Sequence, residues 1–255
     1  MGNALTTTEK WEKEWKDFPL PAIEKPPHDL RSLLETHLPA GSDYRLIEIG
    51  CAPGRWMAYF SRSHGYSVAG IEYGKEAADL TRRNMKMQGI PAEVLAEDFF
   101  RADIDPGSYD VVFSGGFIEH FRDLPAVVER ICALSRRYVV TLVPNLYGVN
   151  GLISKAVRPA VYAEHTPIDR RLLERLHAGC GVETLFCNYV GGARLIMPGA
   201  KNAFFEKHRW CGRALNAPVR VFNRLSEAAS RALGTIPRSR LLSDSLLYIG
   251  KKTGP

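Results

Sequence analysis

Short apolar runs rich in β-branched residues recur along the chain, and stretches with helical spacing separate them. The pattern predicts strands over residues 44–49, 67–72, 92–96, 109–114, 138–143, 182–190 and 245–250. It predicts helices over residues 55–64, 75–88, 124–135 and 170–178, whereas residues 146–169 show no clear period. Strands that alternate with helices form a parallel sheet with helices on both faces, joined by right-handed crossovers.

This order of elements predicts an α/β protein. We expect a doubly wound, Rossmann-like, mostly parallel sheet of about seven strands, with a helical insertion before the last strand. The predicted division is an N-terminal helical lid segment over 1–43, a core over 44–200, a basic helical insertion over 201–243, and the last strand and tail of the core over 244–255. Trp11 and Trp15 share one face of the leading helix, which either covers a ligand or docks on the sheet.

The turn after the first predicted strand contains the most informative motif of the chain. It reads Glu48-Ile49-Gly50-Cys51-Ala52-Pro53-Gly54. In a doubly wound sheet this turn lies at the carboxyl end of the strands, where ligands bind. Glycines at positions 50 and 54 let the backbone approach a ligand closely, because neither carries a Cβ atom. A side chain at either position is expected to occupy ligand space.

Acidic residues follow the next two strands. Glu72 ends the second strand, where a carboxylate can accept hydrogen bonds from both hydroxyls of a ribose. The third strand ends in Glu97-Asp98-Phe99-Phe100, where an acidic residue can accept from an adenine amino group while an aromatic or apolar neighbour covers the ring. Together these residues predict a slot for a nucleoside.

With these marks in order, the chain resembles the class I S-adenosylmethionine-dependent methyltransferases of the small-molecule type, over residues 44–145 and more loosely to 190 and over 245–252. The resemblance implies S-adenosylmethionine as cofactor and S-adenosylhomocysteine as product. The cofactor-binding residues that it implies are Glu48, Gly50, Cys51, Ala52, Gly54, Glu72, Tyr73, Asp98, Phe99, Ser114 and Gly115.

Two other functions stay open at this point. A nicotinamide-dependent dehydrogenase would also place an acid near residue 72, but its fingerprint needs a glycine where Ala52 stands. A methyltransferase-like module could instead keep the nucleoside and act at a membrane or a polyanion without turnover.

Methyl transfer needs an oriented nucleophile and, for a hydroxyl or amine, a base, whereas a metal is not required. The candidate catalytic residues are His120, Glu119 and His165. Histidine titrates near neutrality and suits the deprotonation of a hydroxyl. The alternative for His120 is packing on the cofactor or capping of the following helix. No metal is expected.

The acceptor is predicted to be a small molecule, a sugar or a lipid-linked compound, methylated at oxygen. Ser114-Gly115-Gly116-Phe117 stands where enzymes that methylate adenine or glutamine carry an Asp/Asn-Pro-Pro-Tyr/Phe motif. Phe117, Asn145 and Tyr147 are the predicted substrate-binding residues, because the family places its acceptor pocket near these segments.

Basic charge is concentrated at the C-terminal end of the chain. Residues 201–255 carry 11 Lys/Arg and 3 Asp/Glu, within a net charge of +6 for the whole chain. The helical pattern over 219–233 separates apolar residues from arginines. Such a helix packs on its own domain, lies on an anionic membrane or meets a phosphate-bearing acceptor. Nucleic acid is disfavoured, because no RNA-binding motif accompanies the charge.

The five cysteines form no Cys-x-x-Cys pair and leave an odd one over, which disfavours a disulfide framework and a zinc site. The first residues lack a basic segment followed by an apolar run. We therefore expect a cytoplasmic protein, with contact to the inner membrane surface only if the basic helix provides it.

Overall fold

The computed structural model describes residues 4–196, 208–233 and 238–253. Its centre is a seven-stranded sheet with the order β3-β2-β1-β4-β5-β7-β6. The strands are β1 (Arg45–Ile49), β2 (Ser67–Glu72), β3 (Ala92–Ala96), β4 (Tyr109–Gly115), β5 (Ser135–Pro144), β6 (Val182–Val190) and β7 (Ser245–Lys252). Strands β1 to β5 pair in parallel, and β7 pairs antiparallel with both β5 and β6. This arrangement confirms the predicted fold class.

Helices pack around the sheet. They are α1 (Thr8–Trp15), α2 (His28–His37), α3 (Arg55–His64), α4 (Lys75–Met87), α5 (Leu124–Leu134), α6 (Val149–Val157), α7 (Pro159–Ala163), α8 (Arg170–Ala178) and α9 (Arg209–Leu233). A short 3-10 helix spans Ile118–His120. The predicted helices over 55–64 and 170–178 have the expected bounds.

Strand β5 begins three residues before its predicted start, directly after α5. Ser135 pairs with Tyr109 of β4, and Arg136 is exposed and forms an ion pair with Asp110 at 2.7 Å. Strands are predicted from runs of apolar residues, and exposed arginines at the start of β5 interrupt that run. The predicted start of the strand therefore came too late in the chain.

The segment over 146–169, which shows no clear period in sequence, holds the helices α6 and α7. Arg158 separates them, and Pro159 stands at the first helical position of α7, where the missing N–H is tolerated. Only Asn150, Gly151 and Ser154 of α6 are buried, so this helix lacks the broad apolar face that gives a readable period.

The core has one apolar cluster on each face of the sheet. One contains Ile47, Val112 and Ile131, and the other contains Leu46, Phe60 and Phe113. Alternate residues of β1 and β4 thus enter opposite layers, as expected for strands covered on both faces. Strand β1 lies between β2 and β4, so the strand order reverses beside it and opens a crevice at the carboxyl ends.

Helix α9 is the described part of the predicted insertion, whose residues 201–207 and 234–237 lie outside the described ranges. Val221, Phe222 and Leu225 expose 56%, 38% and 66% of their surface. These exposed side chains do not fit the interpretation that the apolar side of this helix packs on its own domain. Over the described residues, every helix is too short or too polar to cross a bilayer.

Candidate cofactor and acceptor site

A cavity of about 830 Å³ opens at the carboxyl ends of β1, β2 and β4. This volume lies within the range of about 300–1,000 Å³ typical of small-molecule sites. Ten residues that the sequence predicts for the site line it: Glu48, Gly50, Ala52, Glu72, Tyr73, Asp98, Phe99, Gly115, Phe117 and His120.

Gly50 begins the turn after β1 with a φ of +71°, a conformation that favours glycine. A Cβ atom at this position would lie 2.8 Å from Cδ2 of Phe117. The amides of Gly50 and Cys51 donate to the carbonyl of Ile71 at 3.0 and 3.2 Å. The turn therefore lies against β2, with bare backbone at the cavity wall.

Two residues of the motif point away from the cavity. Cys51 is fully buried, and its Sγ would lie 2.6 Å from a Cβ atom placed on Gly70. Gly54 has a φ of +82°, and a Cβ atom there would meet Met85 at 2.9 Å and Thr81 at 3.0 Å. The prediction that a side chain at position 54 would occupy ligand space is wrong for this glycine, because it makes room for helix α4.

Glu48 is buried at the end of β1, and its Oε2 accepts from the amide of Met57 in the first turn of α3 at 3.0 Å. Burial raises the pKa of this carboxyl well above its usual range. The contact fixes the start of α3 relative to the strand, so Glu48 shapes the wall that it lines.

Glu72 lines the cavity at the end of β2. Its Oε2 accepts from the amide of Ala52 at 3.2 Å, and its Oε1 accepts from the amide of Gly74 at 3.2 Å. A carboxylate offers about four lone-pair positions, so both oxygens keep capacity for a further donor. Burial raises the pKa of Glu72, and the amides of Gly74 and Ala52 oppose that shift.

Asp98 and Phe99 form the next part of the wall, after β3. Asp98 accepts from the amide of Phe100 at 2.9 Å, and Arg101 lies 3.8 Å from its other oxygen. The Phe99 ring is 5% exposed and contacts Phe117 edge-on at 5.6 Å between centroids. A carboxylate and a buried ring thus lie together, as the sequence predicts.

Residues after β4 form an aromatic wall. Phe117 lies 5.0 Å from Phe121, and Phe121 lies 5.5 Å from Phe100, measured between ring centroids. Gly115 lines the cavity, whereas Ser114 is buried beneath it. Phe100 and Phe121 line the cavity but were not among the predicted site residues, although the aromatic residues after β3 and after β4 were a signal for them.

The N-terminal segment covers one side of the cavity. Trp11 and Trp15 of α1 line it, together with Thr6 and neighbouring residues. Trp11 donates from Nε1 to Oγ1 of Thr6 at 3.0 Å. The amide of Leu5 donates to the carbonyl of His120 at 2.7 Å, which ties the segment to the sheet edge. The segment therefore lies against the cavity, and its role as a lid stays a prediction.

The structure brings the three candidate catalytic residues together. One ligating atom each of Glu119, His120 and His165 lies within 4.8 Å of the others. The two imidazole rings are 4.5 Å apart between centroids, and the Trp11 ring contacts His120 edge-on at 4.9 Å. Of the three, His120 lines the cavity.

Burial dominates the electrostatics of this cluster. It raises the pKa of Glu119 to about 8 and lowers the pKa of His120 to about 3, the latter also through His165 and Lys10. Burial lowers the pKa of His165 as well. Both imidazoles are therefore neutral near pH 7 and can accept a hydrogen bond.

Two predicted substrate-binding residues lie elsewhere. Asn145 is buried and donates from Nδ2 to the carbonyls of Arg240 and Ser243, at 2.8 Å each. Tyr147 is 47% exposed, with the Arg240 guanidinium 5.4 Å from its ring centre. Both side chains are engaged where the end of β5 meets the segment before β7, so the structure does not place them at the cavity.

The sheet order and the cavity define the class of this protein. It is a doubly wound α/β protein with a small-molecule site at the point where the strand order reverses. Residues 46–137 match the family model described as a methyltransferase domain. This match supports the predicted class I, S-adenosylmethionine-dependent methyltransferase family for this part of the chain.

One curated methyltransferase is similar to this chain in sequence. The chain is 32% identical over 103 residues to a probable cobalt-precorrin-6B C(15)-methyltransferase (decarboxylating) of Thermoplasma acidophilum. That match covers 39% of this chain and 50% of the relative, so the chain spans about half the length of the curated relative it matches.

Solved structures extend the likeness to nearly the whole chain. One similar structure is that of geranyl diphosphate C-methyltransferase from Streptomyces coelicolor A3(2), crystallised with Mg²⁺, geranyl diphosphate and S-adenosyl-L-homocysteine. Its TM-score is 0.61 at 16% sequence identity, and the alignment covers 96% of this chain and 98% of the enzyme's chain. A phosphoethanolamine N-methyltransferase 2 of Haemonchus contortus, crystallised with S-adenosyl-L-methionine, has a TM-score of 0.59 at 14% identity and covers 97% of this chain and 57% of its own. At these identities the likeness concerns the fold.

Proposed function

We propose that this protein transfers the methyl group of S-adenosylmethionine to an oxygen of a small-molecule, sugar or lipid-linked acceptor and releases S-adenosylhomocysteine. One observation carries the proposal: the cavity at the switch point joins the bare backbone of Gly50 to the buried carboxylate of Glu72. The family match over residues 46–137 covers the strands that supply both residues.

The cofactor half of the cavity follows from the strand ends. Glu72 accepts hydrogen bonds from the two ribose hydroxyls through the lone pairs that Ala52 and Gly74 leave free. The adenine lies against Phe99, and its amino group donates to Asp98. Tyr73 closes the exposed edge, since it lines the cavity and is 38% exposed.

The acceptor lies in the other half, between the aromatic wall and the N-terminal segment. Phe100, Phe117 and Phe121 contact its apolar part, while Trp11 covers it from α1. His120 accepts a hydrogen bond from the acceptor hydroxyl and so turns the oxygen toward the sulfonium methyl group. As the bond from oxygen to the methyl carbon forms and the bond from sulfur to that carbon breaks, the hydroxyl proton passes to this imidazole and then to solvent. Positioning of this kind supplies much of the rate enhancement when the leaving group is already activated.

The test has a binding step and a turnover step. Calorimetry with S-adenosylhomocysteine should show one site per chain, and incubation with S-adenosylmethionine and fractionated cell extract should release S-adenosylhomocysteine. Absence of binding would contradict the proposal. Binding without release from any fraction would instead support a nucleoside-binding module, and binding of a nicotinamide cofactor alone would support a dehydrogenase.

For the basic helix α9 we propose a peripheral contact with an anionic membrane surface. The apolar residues Val221 and Leu225 are one turn apart and exposed, and Arg220 and Arg224 beside them are exposed too. An amphipathic helix with arginines on its polar side binds such a surface through buried apolar area and charge.

Sedimentation with vesicles tests this contact. The protein should bind vesicles that contain phosphatidylserine and not vesicles of phosphatidylcholine alone, and high salt should weaken binding. Leu225→Ser should reduce binding, whereas Leu241→Ser should not, since Leu241 is similarly exposed (56%) but lies outside the helix. Equal binding by the two variants would contradict the contact.

A further inference from the structure

Glu119, His120 and His165 lie together at the cavity wall, although the deprotonation of an acceptor needs only one base. We propose that these residues bind one divalent transition-metal ion at the cavity wall. The ligating atoms come from two separate segments, the 3-10 helix Ile118–His120 and the turn after α7, and lie within 4.8 Å of one another. In an occupied site each of the three atoms would lie about 2.1 Å from the ion.

Backbone carbonyls orient both imidazoles for this role. Nδ1 of His120 lies 2.9 Å from the carbonyl oxygen of Glu164, and Nδ1 of His165 lies 2.6 Å from that of Val161. A carbonyl only accepts hydrogen bonds, so each Nδ1 carries the proton and each Nε2 keeps its lone pair. Metal-binding histidines are typically held by this kind of hydrogen bond from the other ring nitrogen.

The unpartnered carboxyl group of Glu119 is the second observation that supports a metal site. Glu119 is 2% exposed, and its Oε2 is buried without a hydrogen-bond partner among the described residues. A buried polar atom without a partner is unfavourable, and an ion at this position would satisfy it. The nearby Lys10 ammonium is itself paired with the carboxylate of Glu164.

The backbone around the cluster is fixed by further contacts. The amide of Thr166 donates to the carbonyl of Glu119 at 2.6 Å, and Oγ1 of Thr166 donates to the carbonyl of Phe121 at 2.7 Å. These two bonds join the segment that carries His165 to the segment that carries the other two ligands. These backbone contacts therefore fix the position of the His165 segment relative to the Glu119 and His120 segment.

Two imidazole nitrogens and one carboxylate oxygen favour ions such as Zn²⁺, Fe²⁺ or Co²⁺ over Mg²⁺ and Ca²⁺, which prefer oxygen ligands. Because His120 lines the cavity, an ion that it binds would lie beside the acceptor half. There the ion would take the Nε2 lone pair of His120 and hold the acceptor oxygen itself, in place of the hydrogen bond described above, an extension that rests on the proposed function. Metal binding itself does not depend on it, and it departs from the expectation that no metal is needed.

Titration of the chelator-treated, full-length protein with Co²⁺ tests the site. We expect one ion per chain, visible absorption bands from nitrogen and oxygen ligands, and displacement by Zn²⁺ but not by Mg²⁺. Glu119→Gln and His165→Gln should each weaken binding on the order of 100-fold. The matched control is His28→Gln, because His28 is an exposed histidine on α2.

The outcomes separate this site from the cofactor site. Absence of Co²⁺ binding to the parent protein, equal affinity in Glu119→Gln, or bands from thiolate ligands would overturn the proposal. Calorimetry with S-adenosylhomocysteine on the metal-free Glu119→Gln protein shows whether the variant folds and keeps the cofactor site. Loss of metal binding alone therefore leaves the proposed function standing, and loss of cofactor binding by the parent protein would remove that function instead.

Discussion

The two halves of the cavity are built in different ways. The proposed cofactor half comes from turns that directly follow β1, β2 and β3, with Gly50, Glu72 and Asp98 at successive strand ends. The proposed acceptor half comes from the N-terminal segment, from Phe100 after β3 and from the residues after β4, and the turn after α7 places His165 against His120. Strand ends fix one half, and the meeting of segments distant in sequence fixes the other.

This difference should separate binding from turnover, and the largest effect is expected in the acceptor half. His120→Asn should lower the rate of S-adenosylhomocysteine release at least about 100-fold, because the acceptor oxygen loses its partner. Its affinity for S-adenosylhomocysteine should stay within about twofold of the parent. A matched rate for His28→Asn and the parent is the control. A His120→Asn protein with undiminished turnover would contradict the role of this histidine.

The next effect is expected in the cofactor half. Gly50→Ala should weaken cofactor binding about 10- to 100-fold, because a Cβ atom pushes the Phe117 ring at 2.8 Å and strains a positive φ. Gly107→Ala is the matched control, since Gly107 has a φ of +68° and open space around its Cβ position. Calorimetry distinguishes them. Similar losses in both variants would mean that backbone strain, and not the cavity wall, sets the affinity.

The smallest effect is expected outside both halves, at His177. Burial lowers its pKa from 6.5 to about 4, and its ring stacks on Tyr248 at 3.8 Å. The unfolded chain therefore binds a proton that the folded protein resists, so stability is full above pH 6.5 and falls as the pH drops toward 4. At pH 5 the loss should be about 1–2 kcal/mol.

Denaturant titrations at pH 7 and pH 5 measure this loss. His177→Asn keeps a donor for the carbonyl of Leu173 without a titrating ring, so the pH dependence should shrink by that amount. Cofactor affinity at pH 7 should be unchanged. An unaltered pH dependence would show that other groups cause the acid sensitivity.

The comparison of the two halves also explains what the sequence could predict. Glycine, an acid at a strand end and the alternation of apolar runs are local signals, so the sheet, the turn at Gly50 and the place of Glu72 could be predicted. Gly54 shows the limit of such signals. Its motif position is that of a ligand-facing glycine, but only the fold shows that Met85 and Thr81 of α4 lie beside it.

The acceptor half was less predictable because tertiary contacts assemble it. Asn145 and Tyr147 follow β5 in sequence, yet Asn145 binds carbonyls before β7 and both lie away from the cavity. His165 is remote from His120 in sequence, and the rings meet because Thr166 bonds to the backbone of Glu119. No short-range pattern encodes that bond.

The most direct test of the central claim is calorimetry of S-adenosylmethionine binding to Glu72→Gln. The buried carboxylate should supply two charge-assisted hydrogen bonds to the ribose, so the variant should bind on the order of 100-fold more weakly than the parent. Glu97→Gln, which changes another cavity-lining carboxylate, should bind like the parent. If Glu72→Gln also binds like the parent, the assignment of this cavity to the cofactor is contradicted.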